Sequence, residues 1–163
     1  MSFDAYLKIE AIKGSAQAKG NVDEIPLFSF SWGAANPISV TVEKGLAAGK
    51  VNLTSFNLMK KSDKASPILF QYCCNGTHID KCVVSLRKSG GTDMLTFIKY
   101  KFTNCMIESI QWSGSGGGDD TPSESVSIAF EKVELMYQPQ GKDGAKDGAE
   151  IPASWDVKTV AKS

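Results

Sequence analysis

The sequence has little of what catalytic and nucleic-acid-binding proteins ordinarily use. It has one histidine, His78, and its 18 basic and 18 acidic residues leave a formal net charge of zero. Histidine is the side chain that most often moves protons near neutral pH, and nucleic-acid binding favours an excess of Lys and Arg. No G-x-S-x-G motif accompanies His78, which follows a predicted helix end. We therefore expect neither a histidine-based catalytic site nor a nucleic-acid partner.

Long apolar runs are also missing. Nowhere do about 18 apolar residues stand together, and the first residues include no basic segment followed by an apolar one. We expect synthesis in the cytoplasm, no conventional export signal and no insertion into a membrane.

The cysteine pattern gives no metal or disulfide framework. Cys73, Cys74, Cys82 and Cys105 show no C-x-x-C spacing, and the vicinal pair cannot easily serve one tetrahedral site with a single histidine. We expect buried reduced thiols, with Cys74 as the candidate surface thiol. A chain of 163 residues buries enough surface to be stable without a cofactor, and we expect none.

The clearest strand pattern runs from Ser123 to Gln138 and changes face partway. Large apolar residues occupy even positions from Val126 to Phe130 and odd positions from Val133 to Tyr137. Because strand side chains alternate between two faces, a bulge or bend near Glu131 is needed to keep one face buried. A long, bent strand is typical of a curved sheet or a small barrel.

Similar alternation predicts strands along the rest of the chain. They cover Phe3–Ala11, Ile25–Gly33, Ile38–Glu43, Val51–Met59, Cys82–Leu86, Met94–Trp112 as two strands hinged at Thr103-Asn104, and a short last strand at Trp155 and Val157. About eight strands and one helix predict a mainly β fold, a barrel or a sandwich, in one domain spanning residues 1–163.

One helix is predicted from Asp63 to Asn75. Asp63 or Ser66 can cap its first turn, Pro67 suits an early helical position and Gly76 suits a left-handed stop. Its apolar stripe is predicted to consist of Ile68, Leu69, Tyr72 and Cys73.

Nine short motifs stand in an order that carries a family resemblance. They are Phe3-Asp-Ala-Tyr-Leu-Lys-Ile9, Glu24-Ile25, Phe30-Ser-Trp-Gly33, Gly45-Leu-Ala-Ala-Gly-Lys50, Asp63-Lys-Ala-Ser-Pro67, Cys73 to Ile79, Tyr100-Lys-Phe102, Glu124-Ser-Val126 and Trp155-Asp156. In this order they resemble the haemolysin-coregulated protein (Hcp) family, the tube-forming component of bacterial type VI secretion. The resemblance runs nearly end to end, although Ser15 stands where the family often has an acidic residue.

The resemblance implies a fold and a function. It implies a small β-barrel flanked by one α-helix, similar to phage tail tubes, that forms hexameric rings and stacks them into a hollow tube. It also implies a spike protein and a contractile sheath as partners, with export of rings and lumenal effector proteins through the apparatus itself. The protein would then be secreted without a signal peptide and would not be an enzyme.

The connection from Glu43 to Lys50 is the candidate subunit interface. Closed rings need heterologous contacts, and stacking them needs a second pair of faces. The apolar residues Leu46, Ala47 and Ala48 are unlikely to stay exposed without a purpose. The candidate interface residues are Glu43, Lys44, Leu46, Ala47, Ala48 and Lys50. The alternative is a solvated hairpin tip.

Two serines are candidates for the lumen wall. If Phe28, Phe30 and Trp32 face the core, Ser29 and Ser31 point to the opposite face, because neighbouring strand residues do so. In a tube-forming relative this face would line the lumen, where small hydroxyls keep the bore wide. Alternatively, both serines face water outside the ring.

The residues alone are also consistent with a second function, that of a monomeric binding module. A monomeric β-sandwich could bind a ligand such as a carbohydrate through Trp32, Trp112 and Trp155, together with Asp119 and Asp120. Strand aromatics are more often part of the core, and a monomeric mass in solution would separate this reading from a ring.

Overall fold

Twelve β-strands and one α-helix form the regular structure of residues 2–90, 93–118 and 120–162, the part of the chain that the computed structural model describes. The strands are β1 (Asp4–Ile9), β2 (Ile25–Leu27), β3 (Ser29–Ser31), β4 (Ala34–Ala35), β5 (Ser39–Thr41), β6 (Gly45–Ala47), β7 (Asn52–Leu53), β8 (Phe56–Lys61), β9 (Ile79–Ser89), β10 (Met94–Ser113), β11 (Ser123–Tyr137) and β12 (Ile151–Asp156). The helix α1 (Ser66–Asn75) lies between β8 and β9. The predicted mainly β fold with one helix is confirmed.

Eight of the strands form one antiparallel sheet. Its order is β2-β1-β9-β10-β11-β8-β3, and β12 pairs with the second half of β11. The first strand in this order, β2, lies against β8, so the sheet curls into a nearly closed barrel. The remaining strands pair as β4 with β7 and β5 with β6, which extends the β3–β8 hairpin away from the barrel.

Strands β10 and β11 change their buried face at the same place. On β11, Ile128 is buried at an even position and Val133 at an odd one, as predicted. The irregular residue lies across the sheet in β10, where Asn104 has a φ of 54° and its side-chain amide donates to the Glu131 carboxylate. Each strand is nevertheless continuous, so the prediction of two separate strands in residues 94–112 is wrong. Tyr137, expected on the buried face, is exposed at the strand end.

Aromatic side chains fill the barrel. The rings of Phe56 and Phe102 lie 5.1 Å apart, Phe102 and Phe130 lie 4.6 Å apart, and Phe30 stacks on Phe56 at 5.7 Å. Such tilted and stacked pairs add to the hydrophobic stabilisation of the core. Half-buried Trp32 packs edge-on against Phe102 at 5.5 Å.

The helix is shorter than predicted. It begins at Ser66, with Ala65 at the N-cap, and no side chain caps it. The Asp63 carboxylate instead accepts a hydrogen bond from the Ala65 N–H, which tightens the turn before the helix. Leu69 is buried, whereas Ile68, predicted on the apolar stripe, is exposed because it lies about 100° away around the helix. Gly76 ends the helix with a left-handed φ of 64°, as predicted.

The segment from Ile25 to Gly33 does not form one strand. Its first part pairs with β1, where Leu27 is opposite Ala5, and its second part pairs with β8, where Ser29 is opposite Met59. This change of partner leaves Leu27 buried and Phe28 55% exposed. The prediction that Phe28 faces the core is therefore wrong.

Candidate assembly and lumen surfaces

A β-hairpin projects from the barrel over residues 38–48, and we call it the arm. It consists of β5 and β6, in which Val40 is opposite Leu46 and Thr41 is opposite Gly45. The turn between them is fixed by a hydrogen bond from the Lys44 N–H to the Thr41 hydroxyl and by a left-handed φ of 64° at Gly45. At its base, the Gly49 N–H donates to the Asn36 side chain.

One face of the arm is apolar and uncovered. Cross-strand pairing puts Val40 and Leu46 on the same face, and Ile38 and Val42, which flank β5 at the alternating positions, are also exposed. Val40 and Leu46 are each 76% exposed, and Val42 is fully exposed. Large aliphatic side chains in a contiguous exposed strip mark an interaction surface more often than a solvated one.

The candidate interface residues all lie on or beside the arm. Leu46 belongs to the apolar face, whereas its neighbour Ala47 points to the opposite, polar face with Ser39. The others, Glu43, Lys44, Ala48 and Lys50, are exposed at the tip or the base. Ile38, Val40 and Val42 were not among the predicted interface residues, although their alternation is visible in the sequence.

Ser29 and Ser31 are exposed on the outer side of β3, where the alternation put them. Strand pairing continues both positions across β8, β11 and β10. One row is Ser31, Asn57, Ser127 and Ser109, and the next row is Ser29, Met59, Ser125 and Gln111. None of these eight residues carries a charge, and we call them the serine face.

Side chains of the serine face form hydrogen bonds with each other and with the neighbouring backbone. The Ser127 hydroxyl donates to the Asn57 side-chain oxygen at 2.5 Å, and the Asn57 amide donates to the Ser55 carbonyl at 3.2 Å. The face therefore offers small hydroxyl groups at regular positions on paired strands. Ser125 and Ser127 were visible in the sequence as the residues that alternate with buried Val126 and Ile128.

A buried ion cluster joins the helix to the barrel. The Lys60 ammonium lies 2.9 Å from the Asp63 carboxylate and 3.4 Å from both Glu124 oxygens, and the Ser66 hydroxyl donates to Glu124 at 2.5 Å. Lys60 and Glu124 are opposite each other on β8 and β11, and both are 0% exposed. This cluster positions the start of α1 on the sheet, and it was not predicted.

The candidate chemical groups remain scattered. His78 is exposed and its ring nitrogen lies 3.1 Å from the Asn104 side-chain oxygen. Within residues 2–90, 93–118 and 120–162, no three His, Cys, Asp or Glu side chains converge as a metal site. None of the helices in those ranges is long and apolar enough to cross a membrane.

The four cysteines are free. Cys82 and Cys105 are buried, as expected, whereas Cys73 is half-buried and Cys74, the candidate surface thiol, is exposed. The hydrogen bond with Cys105, together with burial, raises the pKa of Cys82 well above its usual range. This thiol therefore stays protonated and unreactive at neutral pH.

The three tryptophans do not form one ligand platform. Trp32 and Trp155 line the same apolar opening in the barrel wall, whereas Trp112 is exposed beside Phe70, 5.8 Å away. Asp120 is exposed, and Asp119 lies outside the described residues. The arrangement does not favour the carbohydrate-binding reading.

Known proteins resemble this chain over nearly its whole length. The family model for "Type VI secretion system effector, Hcp" matches residues 6–137. Protein hcp1 of Pseudomonas aeruginosa is 33% identical over 158 residues, which covers 97% of each chain. A solved structure of a type six secretion system protein has a TM-score of 0.93 at 29% identity, covering 99% of this chain and 100% of the other. Hcp1 from Salmonella typhimurium has a TM-score of 0.82 at 30% identity, with both chains fully covered.

Proposed function

Because the chain belongs to the Hcp family of type VI secretion proteins, we propose that it is a structural tube component that forms hexameric rings. The rings stack into a hollow tube, and the whole chain acts as one tube domain. The apparatus expels this tube, which carries the protein out of the cytoplasm. Its partners are further copies of itself, a spike protein, a contractile sheath and effector proteins carried in the lumen.

The uncovered apolar face of the arm carries this proposal. A monomer with Val40, Val42 and Leu46 in water would lose the hydrophobic stabilisation that these side chains gain on burial, about 1.5–3 kcal/mol each. The net charge of zero adds no long-range repulsion between copies. The arm residues Glu43, Lys44, Leu46, Ala47, Ala48 and Lys50 therefore belong to the contact between copies.

The serine face is the proposed lumen wall. A surface that must hold different cargo proteins and then release them needs weak, adaptable hydrogen bonds without fixed charges. Ser29 and Ser31 lie on this uncharged face, with three further serines behind them across the sheet. No catalytic centre is needed for this function.

Native mass measurement tests the ring directly. At tens of micromolar protein we expect a mass of six copies, with ring-shaped particles in electron micrographs. A strict monomer under these conditions would refute the proposal. Turnover abolished by changing His78 would refute the claim that the protein has no catalytic role.

A glutamine at Ser31 tests the lumen wall. Ser31→Gln adds bulk without charge, so rings should form normally while retention or delivery of a lumenal effector falls. The matched control is Thr96→Gln, which adds the same side chain on the lysine-bearing outer face of another part of the sheet. If Ser31→Gln rings carried cargo normally while Thr96→Gln blocked it, Ser31 would not lie on the lumen wall.

A further inference from the structure

A groove crosses the outer face of the sheet over β1, β9 and the first half of β10, and we call it the basic groove. It has a volume of about 540 Å³. Of the described residues that line it, six are basic and one, Glu24, is acidic. The basic residues are Lys8, Lys19, Lys81, Arg87, Lys99 and Lys101. Since the whole chain has a formal net charge of zero, this face concentrates positive charge that is balanced elsewhere on the molecule.

Strand pairing places the lysines of the basic groove side by side. Lys8 is opposite Val83, and Val83 is opposite Lys101, so these three residues form one row across the sheet. Lys99 lies two positions before Lys101 and on the same face. Residues so spaced are about 7 Å apart, which is within about one Debye length at physiological salt. The ammonium groups therefore reinforce each other's positive potential toward an anionic partner.

Arg87 builds one wall of the basic groove. Its guanidinium lies 5.8 Å from the centre of the Tyr6 ring and donates to the Lys19 carbonyl at 3.0 Å and to the Asn21 side-chain oxygen. The Asn21 amide in turn donates to the Glu24 carboxylate at 2.6 Å. The arginine and the acidic residue of the groove are thus both engaged within the chain, and together they hold the loop that carries Lys19.

The lysines are in a different position. Among the side chains that the structure describes, Lys8, Lys81 and Lys99 have no ion-pair or hydrogen-bond partner, whereas the Lys101 ammonium lies 3.3 Å from the Glu134 carboxylate. Lys8 and Lys81 are exposed and Lys99 is half-buried. Their ammonium groups can therefore bind the anionic groups of another molecule without breaking a contact in this one.

The remaining surface of the basic groove favours an acidic protein segment over a nucleic acid. Val83, Met94 and Met136 lie between the charges, and methionine side chains adapt to apolar partners of different shape. None of the described residues that line the groove is aromatic, so unpaired bases would find no ring on which to stack. The side chain best suited to phosphate recognition, arginine, occurs once and is engaged within the chain, which leaves lysines as flexible point charges.

We infer that the basic groove binds a segment of a partner protein in which Asp or Glu residues alternate with apolar ones. Carboxylates of the segment pair with the free lysines, and its apolar side chains contact the methionines. The groove shares no residue with the arm or with the serine face. The inference therefore goes beyond the proposed function, because it assigns a partner to a surface that neither the ring contact nor the lumen wall uses.

A labelled acidic peptide tests the basic groove in the intact protein. The probe is a fluorescent ten-residue peptide in which Glu alternates with Ala, and the comparison peptide has Gln in place of every Glu. We expect fluorescence anisotropy to show binding of the Glu peptide, with an affinity that falls as salt is added. Equal binding of the Gln peptide would refute the inference.

Paired lysine variants locate the binding. Lys8→Gln with Lys99→Gln should weaken binding of the Glu peptide roughly fivefold, the effect of losing two exposed ion pairs of ordinary strength. The matched control, Lys13→Gln with Lys142→Gln, makes the same change of net charge at two exposed lysines that do not line the groove. Equal weakening in both double variants would show that only net charge matters, and would overturn the inference. A melting temperature within a few degrees of the parent's shows that each variant folds.

Carbodiimide coupling gives an independent readout, because it joins a carboxylate to an ammonium group in contact with it. Mass spectrometry should find the Glu peptide on Lys8, Lys81 or Lys99 several times more often than on Lys13 or Lys142. Coupling spread evenly over all lysines would contradict the assignment. A single-stranded DNA with the same number of charges that displaced the peptide and bound more tightly would exclude a protein segment as the preferred partner.

The outcomes separate this inference from the proposed function. The Lys8→Gln, Lys99→Gln variant should have the same native mass as the parent. If it folded but no longer assembled, the basic groove would be a contact between copies and the inference would be wrong. A parent protein that stayed monomeric but bound the Glu peptide in the groove would refute the ring and support the inference.

Discussion

Replacing Lys60 by methionine tests whether the buried ion cluster holds the helix on the barrel. The change keeps an unbranched side chain but removes the ammonium that lies between Asp63 and Glu124. Two carboxylates then remain in a region where Lys60 and Glu124 are 0% exposed. Removing one partner from a buried pair costs about 3–5 kcal/mol, because the remaining charge stays buried without compensation. At about 2–4 °C per kcal/mol for a chain of this size, the melting temperature should fall by roughly 6–20 °C.

The neighbouring lysine provides the control. Lys61→Met makes the same chemical change one residue later, where the side chain is exposed and its ammonium lies 3.4 Å from the Ser123 hydroxyl. An exposed polar contact contributes about 1 kcal/mol or less, so this variant should melt close to the parent. Both variants are compared with the parent by urea and thermal unfolding at one protein concentration, because assembly also stabilises the folded state.

A double variant separates the charge from the packing. In Lys60→Met with Glu124→Leu, both members of the cross-strand pair become apolar, and the protein should be more stable than Lys60→Met alone. Apolar replacement of a whole buried pair is often neutral or stabilising, whereas half a pair is not tolerated. If Lys60→Met lowered the free energy of unfolding by less than about 1 kcal/mol, the cluster would not hold the helix as we argue.

Three further predictions address the arm and the core. Leu46→Asp should weaken assembly by about 1–3 kcal/mol in sedimentation experiments while the monomer melts unchanged; normal assembly with a lower melting temperature would show that Leu46 belongs to the core. Gly49→Ala would place its Cβ 2.7 Å from Pro37, so light scattering should show assembly only at higher concentration, and unchanged scattering would mean that the arm base is not fixed. Finally, Cys82 and Tyr100 have raised pKa values in the folded protein. In the unfolded chain these groups ionise at lower pH, from about 8.5 for Cys and about 10 for Tyr. The stability that they contribute is therefore present at neutral pH and is lost as the pH rises through this range. Urea unfolding at pH 7 and above pH 10 should show this decline, with a smaller decline in Tyr100→Phe; an equal decline would exclude Tyr100 as a cause.

Alternation predicted the main strands because each of them has one face against the barrel core. The change of face in β11 was visible since Val126 to Phe130 and Val133 to Tyr137 differ in parity. The position of the irregular residue could not be predicted, because Asn104 lies in the neighbouring strand. The alternation within one strand does not show which residues of another strand lie opposite it. For the same reason Phe28 was misplaced: its surroundings depend on a change of partner from β1 to β8.

The buried ion cluster left a signal that periodicity alone does not exploit. Lys60 has the same parity as buried Phe56 and Leu58, and Glu124 has the same parity as buried Val126 and Ile128. A charged residue at a position that alternation assigns to the buried face either lies at the end of its strand or belongs to a buried ion pair. Opposite charges at such positions on two strands indicate a buried ion pair, although the pairing of β8 with β11 must be known to connect them.

Apolar residues alternate with polar ones in the arm as they do in the barrel strands. Phe30 and Trp32 are packed against the core at even positions, and Ile38, Val40 and Val42 follow at even positions in the arm. The same kind of alternation is therefore found where the chain covers its own apolar side chains, in the barrel, and where it leaves them exposed, in the arm. Hydrophobic burial does not distinguish one copy from another, so the pattern that marks the barrel core also marks a surface that a second copy can cover. Sequence periodicity therefore locates the apolar residues of the arm but does not tell whether its own chain or a second copy covers them.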